Sequence, residues 1–127
     1  MCNVELRTRD SDGRMVVLLR GDLDVTDAAN VAHALIAAAA RDSVIIVDLA
    51  DLDFMDSSGL AALVLARRHA RQAGGDLLLV APQRRVLRIL TVTRLIEVFP
   101  VYACVEDAVG SAECSRATVQ PALPAAS

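Results

Sequence analysis

The run Ser43-Val44-Ile45-Ile46-Val47-Asp48-Leu49 constrains the fold more than any other stretch of this chain. Branched side chains at 44–47 favour extended backbone, and the lack of polar alternation means that both faces of the strand are covered. Such a strand sits inside a sheet flanked by helices, so strands and helices should alternate around it. The rest of the sequence fits that demand.

Before it, Val4-Glu5-Leu6-Arg7-Thr8 alternates as a half-buried strand does, and Met15-Val16-Val17-Leu18-Leu19 is continuously apolar. Ser11-Asp12-Gly13-Arg14 between them carries turn chemistry, which predicts an antiparallel hairpin. Gly21 to Asp27 reads as a polar connector ending in helix-capping residues. From Ala28 to Arg41, Val31, Leu35 and Ala38 recur at helical spacing, with Asn30, His33, Ala37 and Arg41 on the far side. A second helix from Ser57 to Ala73 stops at Gly74-Gly75. Asp76 to Val80 is the next strand, closed by Ala81-Pro82. A third helix from Gln83 to Thr93 follows, with Val86, Leu87 and Leu90 inward and Arg84, Arg85 and Arg88 outward. Pro100 restricts Glu97 to Tyr102 to an edge strand or a strand end, and Glu106-Asp107-Ala108 suggests one short final helix.

The predicted order is therefore β-β-α-β-α-β-α-β-α. It describes an α/β fold whose mixed sheet is mainly parallel, has one antiparallel edge strand and is covered by helices. Residues 1–110 are expected to form this domain, and residues 111–127, with Pro121 and Pro124 among small side chains, a disordered tail.

Composition narrows the function. Apolar residues make up 54% of the 127, enough for a core built of Val, Leu, Ile and Ala. A net charge of −3 and only three aromatic residues (Phe54, Phe99, Tyr102) argue against a nucleic-acid surface or an anionic-membrane surface. All 13 basic residues are Arg, which excludes mechanisms that need a catalytic Lys. Cys2, Cys104 and Cys114 lack metal-ligand spacing, so no metal, cofactor or disulfide framework is expected. No basic start leads into an apolar stretch, and no apolar run reaches the ~20 residues of a membrane helix. The expected location is the cytoplasm.

Chemistry concentrates in Asp51-Leu52-Asp53-Phe54-Met55-Asp56-Ser57-Ser58-Gly59, between the most buried strand and the second helix. Partners of such sheets usually meet the C-terminal strand ends. Taken alone, Asp56 or Ser57 reads more readily as a helix cap than as a functional site. On the helical wheel, Gly59, Ala62, Leu63, Ala66, Ala70 and Ala73 face the sheet. The opposite side carries Ser57, Ala61 and Val64 and then Arg67, Arg68, Arg71 and Gln72, with Leu60 at the border. A weakly apolar outer face headed by a hydroxyl is a docking surface in pattern.

These segments resemble the STAS domain family, and within it the bacterial anti-sigma factor antagonists. The matching stretches are Gly21-Asp22-Leu23-Asp24, Val47-Asp48-Leu49, Asp51 through Leu60, and Gly74-Gly75, and the resemblance as a whole covers roughly residues 4–110. One departure is that Thr26 stands a place early, leaving Asp27-Ala28 to open the first helix. The resemblance implies a non-enzymatic regulator. Unphosphorylated, it binds an anti-sigma factor that is itself a serine kinase, and so frees the sigma factor. Phosphorylation of Ser57, with Ser58 as a minor alternative, releases the partner, and a serine phosphatase reverses the step. Partner contacts are expected from Asp22, Asp24, Asp56, Ser57, Ser58, Leu60, Ala61, Val64 and Arg68.

Other classes fit less well. A catalytic serine lacks the G-x-S-x-G elbow, and neither His33 nor His69 has an evident orienting carboxylate. A phospho-aspartate receiver relies on a Lys, and this chain has none. A DNA-binding use of Arg84, Arg85 and Arg88 conflicts with the overall negative charge. A non-phosphorylated STAS subunit, accessory to a lipid transporter or a signalling scaffold, stays open as the alternative.

Overall fold

The computed structural model describes residues 4–11, 13–42 and 44–117, with side chains as far as residue 111. Strands β1 (Val4–Ser11) and β2 (Arg14–Leu23) lead to helix α1 (Ala28–Arg41), then β3 (Val44–Met55), α2 (Ser57–Gln72) and β4 (Asp76–Val80). Helix α3 (Arg84–Val92), a 3-10 turn (Leu95–Glu97), β5 (Val101–Tyr102) and α4 (Val105–Ala117) complete the order. The predicted alternation is present, with the 3-10 turn added.

The sheet runs β1-β2-β3-β4-β5, antiparallel only between β1 and β2. Ser11 faces Arg14 across the hairpin, so two residues make the turn, and Gly13 takes the positive φ of 81° that this tight reversal needs. Asp12, the other turn residue, lies outside the described residues. Val44 to Val47 are at most 6% exposed, because successive side chains enter two different cores. Val17, Leu19, Ile45, Val47 and Leu79 pack against α1, α2 and α3, while Val16, Ile46, Leu78 and Val80 pack under Val105, Ala108 and Val109 of α4. At the N-terminal strand ends Arg14, 4% exposed, donates from Nη1 to Asp42 Oδ1 at 2.7 Å. That pair ties the start of β2 to the end of α1.

Four expectations need correction. Gly21 to Leu23 is not connector but the last part of β2, and Ala50 to Met55 continue β3. The two segments pair in parallel, Gly21 with Leu52, Asp22 with Phe54 and Leu23 with Met55. Asp27 occupies the α1 N-cap but makes no side-chain cap bond, and its Oδ2 accepts the Val4 N–H at 3.3 Å instead. Leu87 is 38% exposed rather than inward, because α3 turns only Val86 and Leu90 fully into the core. Only Val101 and Tyr102 of the expected last strand pair with β4. In addition, α4 continues to Ala117, beyond the boundary drawn at residue 110, and residues 118–127 lie outside the described residues.

Candidate functional site

The site begins where β3 outruns its neighbour. The β4 ladder ends with Val80 opposite Asp48, while β3 continues to Met55 alongside β2. This carries Asp51, Asp53 and Asp56 to the C-terminal end of the sheet, beside Asp22 and Asp24 of the β2 end. Asp24 Oδ1 accepts the Thr26 N–H at 3.0 Å, which shapes the turn into α1.

The chain leaves β3 through Asp56, whose N–H donates to Leu23 O at 3.2 Å. Its extended backbone lets the carboxylate fold over the start of α2, where Oδ1 accepts the N–H groups of Ser58 at 2.9 Å and Gly59 at 3.1 Å. One carboxylate oxygen thus satisfies two of the four N–H groups a helix leaves orphaned. Asp56→Ala is expected to cost about 1–2 kcal/mol, and Asp56→Asn less than half of that. Urea titrations followed by circular dichroism would measure both, and an unaltered midpoint for Asp56→Ala would contradict the role of this cap.

Gly59 lets the helix come this close. A Cβ there would lie 2.7 Å from Leu23 Cγ, 2.8 Å from Met55 Cγ and 2.9 Å from the Leu23 carbonyl oxygen. With Asp56 folded inward and Gly59 against β2, Ser57 is turned to solvent and Ser58 is half-buried. The far end of α2 is closed by a left-handed Gly74, φ 89°, with Gly75 N–H bonded to Ala70 O and Gly74 N–H to Arg71 O.

Below Ser57 the outer side of α2 forms one wall of an open, shallow groove. Ser57, Leu60, Ala61, Val64, Leu65 and Arg68 line it from α2, and Leu95 of the 3-10 turn forms the opposing wall. Five of the predicted site residues therefore share one surface: Ser57, Leu60, Ala61, Val64 and Arg68. Leu60 is 5% exposed and reaches into the core as well as the groove, and Val64 is half-buried. Asp22, Asp24, Asp56 and Ser58 are grouped at the sheet end above the groove rather than in its lining. Of the expected sheet-facing positions, Ala73 is instead exposed at the helix C-cap.

Leu65 and Leu95 are groove residues that the sequence reading missed. Leu65 could have been found, since it lies four positions after Ala61 and so on the same side of the helix. Leu95 has no local signal, because only tertiary packing brings it opposite α2. Two apolar side chains also stand in the open at the strand ends, Val25 at 73% and Phe54 at 44% exposure.

Among the described residues no group of three or more His, Cys, Asp or Glu side chains is arranged to hold a metal. Cys104 is a free thiol, while Cys2 and the side chain of Cys114 lie outside the described residues. No described helix is long and apolar enough to cross a membrane.

Comparison with known proteins matches this architecture. The family model for the STAS domain matches residues 3–108. An anti-sigma-B factor antagonist of Listeria monocytogenes is 27% identical over 100 residues, spanning 78% of this chain and 87% of that protein. The crystal structure of an anti-sigma factor antagonist from Mycobacterium paratuberculosis superposes with a TM-score of 0.77 at 26% identity, covering 87% of this chain and 94% of that one. The anti-sigma factor antagonist SpoIIAA, in its unphosphorylated form, aligns with a TM-score of 0.73 at 22% identity over 91% of this chain and all of its own, a likeness of fold.

Proposed function

The chain belongs to the STAS domain family, and on that premise we propose that it is an anti-sigma factor antagonist switched by phosphorylation of Ser57. Unphosphorylated, it binds an anti-sigma factor that is also a serine kinase, and the sigma factor is set free. The kinase transfers a phosphoryl group to the Ser57 hydroxyl, which ends binding, and a serine phosphatase restores the unmodified protein. On this reading the chain is a cytoplasmic regulator and substrate of a kinase, not itself an enzyme. The names of its relatives agree with the antagonist role.

The observation that carries the proposal is the placement of Ser57, an exposed hydroxyl at the head of an apolar groove. A kinase can reach it without unfolding anything. A dianionic phosphate there stands at a helix N-terminus, where the helix dipole favours negative charge by roughly 0.3–1 kcal/mol. The fold therefore tolerates it. A partner seated in the groove does not, because it would have to bury that charge beside Ala61 and Val64, with Asp56 adjacent in the chain.

The test is direct titration of the purified chain with each serine-kinase anti-sigma factor encoded in the same genome. One of them should bind the unphosphorylated form in a one-to-one complex and release its sigma factor. If none binds, and the chain instead co-purifies with a transporter subunit or a signalling scaffold, the accessory-subunit reading replaces this one.

A further inference from the structure

The last turns of α2 carry three arginines in different situations. Arg67 donates to Asp76 Oδ1 at 2.9 Å and lies over the Phe99 ring, 5.8 Å from its centre. Arg71 reaches Asp76 Oδ2 at 3.3 Å. Arg68 is exposed, lines the groove and has no ion pair among the described residues. Its neighbours share one carboxylate on the sheet side, whereas its own guanidinium is presented to whatever fills the groove.

The groove also limits the conformation of its occupant. Its walls are the outer side of a helix and a 3-10 turn, so α2 offers no ladder of free N–H and C=O groups. An extended peptide laid there would gain no ladder bonds from the groove, while a helix satisfies its own backbone groups and needs only side-chain contacts. From Ser57 to Arg68 the trough is roughly 16 Å long at the helical rise per residue, or about three turns.

We propose that the groove receives an amphipathic helix of the partner, whose apolar ridge lies on Leu60, Ala61, Val64, Leu65 and Leu95 and whose carboxylate pairs with Arg68. This rests on the reading of Ser57 as the switch on the same face and adds a second determinant at the other end. Ser57 decides whether the partner binds, and Arg68 helps decide which partner. A kinase lacking an acidic residue about three turns from its Ser57 contact would be discriminated against.

The experiment uses the anti-sigma kinase that binds the full-length unphosphorylated chain, measured by calorimetry. Arg68→Gln, which keeps length and removes charge, should weaken binding about 5- to 10-fold, and Arg68→Glu about 100-fold. The loss for Arg68→Gln should shrink at high salt, as a charge pair requires. Changing the facing Glu or Asp of the kinase to Arg should restore binding to Arg68→Glu. If Arg68→Glu binds as wild type does while Ser57→Asp does not, the helix-and-carboxylate assignment is overturned and the switch stands. If no kinase binds wild type, the switch and this assignment fall together. If wild type alone sediments as a dimer that Arg68→Glu dissociates, the occupant is a second copy of this chain, which also overturns the proposal.

Discussion

Ser57→Asp is expected to lose about 100-fold or more in affinity for the anti-sigma kinase, while its urea midpoint stays where wild type has it. The two halves of that expectation have different causes. In the free protein the new carboxylate is exposed at the N-terminus of α2, where the dipole offsets repulsion from Asp56. In the complex it must leave water for a groove lined by Leu60, Ala61, Val64 and Leu65. Desolvating an unpaired charge costs several kcal/mol, and even ~3 kcal/mol amounts to about two orders of magnitude in Kd. Ser57→Ala keeps the surface neutral and should bind within about threefold of wild type, since an exposed hydroxyl contributes little. Equal binding by Ser57→Asp and Ser57→Ala would show that the partner does not cover this end of the groove.

Gly59→Ala is expected to destabilise the domain by about 2–3 kcal/mol, against the direction of helix propensity. In an exposed helix interior, Ala is preferred to Gly by ~1 kcal/mol. Here the added methyl meets Leu23 Cγ, Met55 Cγ and Leu23 O, all closer than 3.0 Å. None can retreat cheaply. Leu23 and Met55 are 0% and 3% exposed, and the Leu23 carbonyl is held by the Asp56 N–H. The helix must move instead, and Ser57 with it, so phosphorylation of the folded variant should slow as well. Gly74→Ala is the control: its Cβ meets nothing, but φ is 89°, so strain alone should cost about 1 kcal/mol. A Gly59→Ala protein as stable as wild type would mean that α2 does not pack this tightly on β2.

The layered core was legible because each element announces itself locally. The apolar run at Val44 to Val47 could only be a doubly covered strand, and the i, i+4 spacing of Val31 and Leu35 faced α1 inward. The upper parts of β2 and β3 were hidden for a physical reason. Asp22, Asp51 and Asp53 break the apolar pattern, and two register shifts in the β2–β3 ladder break strict alternation. Leu52 and Met55 stay buried while the residues between them are exposed, a spacing that looks like a loop. What holds that stretch extended is pairing with β2 far away in sequence, which no local window contains. The site followed the same division. Ser57, Ala61, Val64 and Arg68 shared a helical face that the wheel displays, whereas Leu95 joins the groove only through tertiary placement. Asp27 shows the converse: a residue well suited to cap α1 whose side chain is bonded to the edge strand β1 instead.

The central claim is that one exposed hydroxyl at the head of α2 is the switch. Incubation with the cognate anti-sigma kinase and ATP, followed by mass-spectrometric mapping of the phosphate, tests it most directly. The account predicts a single phosphate on Ser57, none on Ser57→Ala, and release of the modified chain from the kinase. Phosphate placed elsewhere, or a chain phosphorylated at Ser57 that remains bound, would contradict it.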